Sequence, residues 1–189
     1  MVDARYDYCL GTANARLKKA LTAMLAEAGY YSAGDGKSGP DLLRRLRSVQ
    51  PWLVIVDTAL PPGNIEELAE IIENDGLAAS IYINTTGGRL KNYVQLSWPS
   101  EAAVLTAVAD AVCTEFARKK KLQREIESLQ TKLHQRKLLD KAKGILATLY
   151  SLSEDEAYRF IQQSSMEQRV TMAEMAGMII KEPERFSSL

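Results

Sequence analysis

The chain has 189 residues, and its 24 Lys plus Arg balance 24 Asp plus Glu in an ordinary composition of 46% hydrophobic and 25% charged residues, enough for one large domain or two small ones. No run approaches 18 apolar residues and the charged start Met1-Val2-Asp3-Ala4-Arg5 lacks an apolar signal core, so no membrane span is expected and a cytoplasmic protein is. Cys9 and Cys113 are too few and too far apart for a disulfide framework, and with His134 as the single histidine neither a metal centre nor a catalytic triad is expected.

Residues 7–10 form a first candidate strand, and Asn14 caps a helix carrying Leu17, Leu21 and Leu25 at four-residue spacing. Residues 30–33 read as a weak strand, followed by the loop 34–39, after which Pro40 opens a helix through Leu42, Leu43 and Leu46. Residues 53–56 (Leu-Val-Ile-Val) are the clearest buried strand and end in Asp57. Asn64 caps a helix with Leu68, Ile71 and Ile72, and residues 80–84 and 93–96 complete five strands. Strands alternating with helices imply right-handed crossovers and a parallel sheet with its functional loops at the strand C-termini. Gly36-Lys37-Ser38 has the ending of a phosphate-binding loop, but Tyr31 stands where that motif needs its first glycine, so the stretch reads as a surface loop.

After Pro99 the pattern changes. From residue 101 to about 150 there is no proline, and Gly144 is the sole glycine. Apolar residues at Leu105, Val108 and Val112, then at Leu122, Ile126, Leu129 and Leu133, alternate steps of three and four, a heptad seam that Glu115 and Lys119 interrupt. The seam is expected to form a coiled-coil dimer between copies. Residues 118–143 hold 10 basic and 3 acidic side chains, a block that suits a phosphate-bearing partner. Ser153-Glu-Asp-Glu156 and Thr171-Met-Ala-Glu174 are two capping boxes, each opening a further helix. With the end of the long helix these make a small three-helix domain. The Met172, Met175 and Met178 spacing is ordinary helix packing, and Ala142, Ala157, Tyr158 and Ala176 read as core.

Asp57, after the central strand and before Pro61-Pro62-Gly63, resembles the phosphoacceptor position of receiver domains of two-component response regulators. That resemblance implies a Mg²⁺ held partly by an acidic pair after the first strand, where this chain has Gly11-Thr12-Ala13-Asn14. The lysine implied before a proline near strand five is replaced by Trp98, while Thr85 or Thr86 fits the hydroxyl position after strand four. Without metal and cation to neutralise the transferring oxygens, Asp57 is expected to be inactive as an acceptor and the domain to be a pseudo-receiver.

The C-terminal part is similar to the ANTAR family of RNA-binding output domains in bacterial transcription antitermination regulators. Ala142-Lys143-Gly144-Ile145-Leu146 matches that family's A-K-G-[IL]-L, Asp155-Glu156-Ala157-Tyr158 its acidic-acidic-Ala-aromatic run, and Ser165 with Arg169 its small residue followed four positions later by a basic one. The resemblance implies a division into a pseudo-receiver over 1–100, a coiled-coil linker over 101–135 and an ANTAR domain over 136–189. The implied RNA-binding residues are Arg136, Lys137, Lys141, Lys143, Gly144, Gln168, Arg169 and Thr171. Taken singly, Lys137 and Gln163 also fit a solvated helix surface.

The resulting expectation is a non-enzymatic, cofactor-free, dimeric antiterminator that binds hairpins of a nascent leader transcript, with a protein partner acting on the pseudo-receiver. Two rivals remain. A phosphorylation-dependent regulator with a DNA-binding output is disfavoured because residues 172–180 contain no Arg or Lys, unlike a recognition helix. A coiled-coil adaptor that binds only protein would leave the basic block without a role.

Overall fold

The computed structural model describes residues 7–85, 87 and 89–186. Thr86 and the charged N-terminal residues 1–6 lie outside the described residues. The chain divides into two units, Met1–Lys120 and Lys121–Leu189.

In the first unit, five parallel strands lie in the order β2-β1-β3-β4-β5: β1 (Asp7–Gly11), β2 (Tyr31–Gly36), β3 (Leu53–Asp57), β4 (Ala79–Asn84) and β5 (Gln95–Ser97). Helices α1 (Ala15–Glu27), α2 (Gly39–Val49) and α3 (Ile65–Asn74) connect the first four strands, and α4 (Ala102–Tyr150) follows β5. Period-two alternation splits the strands between two cores. Tyr8, Leu10, Leu53 and Ile55 point to one face, with Leu17, Leu21 and Leu25 of α1. Cys9, Val54 and Val56 point to the other, with Leu42 and Leu46 of α2 and Leu68 and Ile72 of α3. Each such aliphatic side chain stabilises the fold by roughly 1.5–3 kcal/mol on burial. Burial pushes the Cys9 thiol up to about 11 and the Cys113 thiol up to about 12, so both are small apolar core residues.

Two details differ from the sequence reading. The stretch expected as a loop from residue 34 is strand as far as Gly36, because β2 carries a register shift: Tyr8 pairs with Ser32 but Cys9 with Gly34. The extra residue hides the alternation. A Cβ at Gly36 would sit 2.6 Å from the Leu42 backbone, so the glycine is what lets α2 approach the sheet. Secondly, Leu105, Ala109 and Cys113 of α4 are buried in the core that α1 covers, so the first unit extends past residue 100 to Lys120. The composition change at Pro99 marks the start of a helix, not the edge of the core.

The second unit contains the end of α4, α5 (Glu154–Gln168), α6 (Met172–Lys181) and a 3-10 turn (Pro183–Phe186). Both capping boxes form, Ser153 with Glu156 and Thr171 with Glu174. Ala142 and Leu146 of α4, Ala157 and Ile161 of α5, and Met175, Ala176 and Ile179 of α6 make its core. Among the described residues no helix is long and apolar enough to cross a membrane.

Candidate functional site

The first candidate is the Asp57 carboxylate at the C-terminal end of β3, where a parallel sheet presents its loops. Asp57 is 4% exposed. Thr12 Oγ1, just past β1, donates to Asp57 Oδ2 at 2.9 Å, and Thr85 Oγ1 donates to Oδ1 at 2.6 Å. The Ala59 N–H also donates to Oδ1, at 3.0 Å. Among the described residues three neutral donors thus reach the carboxylate. Thr12 itself accepts from the Asn14 N–H at 3.0 Å, which fixes the hydroxyl rotor toward Asp57. A threonine thus touches the aspartate from the position where receivers carry an acidic pair. Among the described residues no group of three His, Cys, Asp or Glu converges to hold a metal ion. Trp98 packs its indole on the sheet core that α1 covers.

The second candidate is the polar surface of the C-terminal unit. Along α4, Lys137, Lys141 and Gly144 lie at four- and three-residue steps, so they share a face, and all three are exposed. A Cβ built on Gly144 meets nothing within 4 Å. Among the described residues no packing demand calls for glycine there, although a mid-helix glycine costs about 1 kcal/mol relative to alanine. Glycine leaves the backbone bare on this exposed face.

Arg136, Asp140 and Lys143 lie on the neighbouring face. Lys143 Nζ is 3.0 Å from Asp140 Oδ1 and 2.7 Å from Glu154 Oε1, and its side chain is 17% exposed. The hydrogen bond to Glu154, then that to Asp140, raises the lysine's pKa. Lys143, a candidate phosphate contact from the sequence, also bridges α4 to the first residue of α5. Arg136 stands 3.9 Å from Asp140 on the exposed surface, a weak pair that leaves its guanidinium accessible.

Arg169 caps the C-terminus of α5 in the left-handed conformation, φ 55°, ψ 38°. Its N–H donates to the Met166 carbonyl at 3.3 Å and its side chain is exposed. That conformation costs a non-glycine residue roughly 1–2 kcal/mol, and glycine is the usual occupant. Gln168, beside it, is exposed. Thr171 is otherwise engaged: its hydroxyl donates to Glu174 Oε2 at 2.8 Å and accepts from the Glu174 N–H at 3.2 Å. These contacts cap α6.

Sequence reasoning placed Tyr158 in the core, but it is 44% exposed. The adjacent Ala157 takes the buried position on α5, which turns the tyrosine outward by one residue. An exposed aromatic ring offers a stacking surface, and its place after the exposed acidic residues Glu154, Asp155 and Glu156 was the signal available for it. Lys143 meets α5 at Glu154 and Arg169 caps the other end, so the length of the helix, about 20 Å at 1.5 Å per residue, separates them.

Residues 127–180 match the ANTAR domain family. The transcriptional regulatory protein PdtaR of Mycobacterium tuberculosis is 25% identical over 175 residues, 88% of this chain and 85% of that protein. The signal receiver domain of a modulated diguanylate cyclase from Desulfovibrio desulfuricans superposes with a TM-score of 0.55 at 16% identity, over 60% of this chain and 98% of that one. A CheY-like receiver domain protein from Methanospirillum hungatei does so with a TM-score of 0.51 at 15% identity, over 59% and 97%. These two likenesses establish the receiver-like fold. Residues 127–180 are thus similar to ANTAR domains, and they follow a domain of receiver-like fold.

Proposed function

We propose that this regulator is an RNA-binding transcription antiterminator, acting as a dimer on hairpins of a nascent leader transcript in the cytoplasm. Among this unit's departures from backbone preference, which also include Ser151 at φ 55° and the mid-helix Gly177, two on the polar surface carry the reading. Gly144 stands where alanine would be more stable and nothing among the described residues asks for glycine. Arg169 stands where glycine would be less strained. Proteins depart from local preference mostly at functional sites, and here both departures fall on the exposed polar surface of the ANTAR unit.

The chemistry supports RNA. Lys137 and Lys141, with Arg136 beyond them, offer exposed cations for phosphates, and the bare backbone at Gly144 admits close approach of a sugar-phosphate strand. Arg169 and Gln168 supply a guanidinium and an amide for an unpaired base. A surface whose basic parts are spread over about 20 Å suits an extended nucleic acid rather than a single nucleotide. Lys143 and Thr171 act from within, holding α4 to α5 and starting α6. Holding a hairpin would keep an overlapping terminator stem from forming, so that polymerase continues. A dimer brings two ANTAR domains to two hairpins, and the tether raises the effective concentration for the second.

Functionally the chain divides into a receiver-like domain, a coiled-coil segment over the exposed residues 117–137 and the ANTAR output. Control is assigned to a protein partner of the receiver-like domain, because Thr12 and Thr85 hydroxyls occupy the Asp57 carboxylate. No catalytic step is proposed for any part of the chain. Titrating one tandem-hairpin RNA and one duplex DNA of equal length at equal salt tests the reading. Tighter binding of RNA is expected; equal or tighter binding of DNA would favour a DNA-binding output instead.

A further inference from the structure

Residues 117–137 of α4 are exposed throughout, yet one stripe of this stretch is apolar: Leu122 is 52% exposed, Ile126 48%, Leu129 58% and Leu133 54%. Steps of four, three and four put Ile126 and Leu133 at the a positions of a two-helix coil and Leu122 and Leu129 at the d positions. Apolar layers of this kind close equally well with the second helix running either way. The flanking side chains decide the direction. Glu125 and Lys132 precede the a positions, while Gln123, Gln130 and Lys137 follow the d positions.

In a parallel pair, the residue before each a position faces the residue five places further along the other helix. Glu125 then faces Gln130, and Lys132 faces Lys137, a like-charge contact made twice. In an antiparallel pair Leu122 stacks on Leu133 and Ile126 on Leu129, each twice about the dyad. Glu125 now faces Lys132 twice, and Gln123 faces Gln130 twice. Every flanking contact is complementary in the second arrangement. Lys119 and Arg136 face like charge in both, so they bound the seam without choosing its direction.

We propose that the exposed stripe binds a second copy of this chain in the antiparallel sense, registered by Glu125–Lys132 pairs on both sides of the dyad. This rests on the dimer reading above and adds the orientation. The two Arg136 residues then lie about 25 Å apart along the axis, on opposite sides of the dyad. A parallel coil would bring them side by side. The spacing of the two RNA surfaces is thereby set by the register of the seam.

The test is the dimer dissociation constant of the full-length chain, by analytical ultracentrifugation, for the wild type, Lys132→Glu and the exchange Glu125→Lys with Lys132→Glu. In the antiparallel pair Lys132→Glu places two glutamates against each other on both sides, and weakening of about three- to tenfold is expected, with the exchange restoring the wild-type value. In a parallel pair the same Lys132→Glu would face Lys137 and tighten the dimer. A tightened or unchanged dimer overturns the orientation and leaves the dimer reading standing. A wild-type chain that stays monomeric overturns the dimer reading itself. As a second readout, oxidised mixtures of Leu122→Cys and Leu133→Cys chains are expected to join to each other and not to themselves. Self-joined Leu122→Cys dimers would again overturn the orientation.

Discussion

Lys143 Nζ bridges Glu154 Oε1 at 2.7 Å and Asp140 Oδ1 at 3.0 Å, so one lysine binds the first turn of α5 to α4. Ion pairs with exposed carboxylates contribute roughly 0.2–1 kcal/mol each. Lys143→Met is therefore expected to lower the stability of the C-terminal helices by about 1 kcal/mol, an effect that shrinks as salt is added. Calorimetry at low and high salt checks it. A loss of RNA binding in this variant without any loss of stability would show that the lysine reaches the RNA directly.

The two capping boxes set the acid limit of the same unit. Hydrogen bonds from Ser153, through its hydroxyl and then its backbone N–H, lower the pKa of Glu156; those from the Thr171 backbone and then its hydroxyl lower that of Glu174. A carboxylate with a depressed folded pKa contributes stability that is present above its unfolded value, about 4.3, and lost as pH falls through the folded value. The caps of α5 and α6 are thus expected to hold at neutral pH and to fail below about pH 4. Lys143 has the opposite sign: its raised pKa leaves its contribution intact below the unfolded value near 10.4, to be lost as pH rises through the folded one. Helix content followed by circular dichroism from pH 7 to pH 3 should fall less steeply for Glu156→Gln with Glu174→Gln, which keeps a capping acceptor without the charge.

Gly144 and Arg169 separate stability from binding. Gly144→Ala fills open space on an exposed helix, and Arg169→Gly relaxes a left-handed backbone. Each is expected to stabilise the unit by about 1 kcal/mol and to weaken binding of a hairpin RNA. Thermal melts and RNA titration of the same two proteins check this. A variant that melts higher and binds as tightly as the wild type would remove that residue from the interface.

Period and capping made most of this fold legible before any coordinates. Asn14, Asn64, Ser153 and Thr171 cap the helices they were expected to open, and Leu53–Asp57 is the central strand. What stayed hidden depended on tertiary contact. The bulge opposite Cys9 shifts β2 by a residue, and no local pattern announces a bulge made by its neighbour strand. The core position of Leu105, Ala109 and Cys113 follows from which face of α4 meets the sheet, while the sequence shows one unbroken helix. At the candidate site, charge and glycine located the basic face of α4. Whether a given lysine is free or clamped depends on Glu154, eleven residues away along the chain and in another helix.

Asp57 is expected to resist phosphorylation. Its oxygens accept from Thr12, Thr85 and the Ala59 N–H, and a threonine stands where an acid would help hold Mg²⁺. Phosphoryl transfer without that charge neutralisation lacks its main electrostatic stabilisation. Incubation with acetyl phosphate and Mg²⁺, followed by intact-mass measurement, should show no phosphorylated fraction. Stoichiometric phosphorylation lost in Asp57→Asn would return the domain to the phosphoacceptors.

The central claim, that the exposed face of α4 in the ANTAR unit grips RNA, is tested most directly by the salt dependence of tandem-hairpin RNA binding. The comparison is the full-length chain against Lys137→Glu with Lys141→Glu, two exposed residues. Loss of two phosphate contacts is expected to weaken binding at least tenfold near 0.1 M salt and to flatten the slope of log affinity against log salt by roughly 1.4–1.8. An unchanged affinity and slope in a variant that folds and dimerises like the wild type would contradict the account.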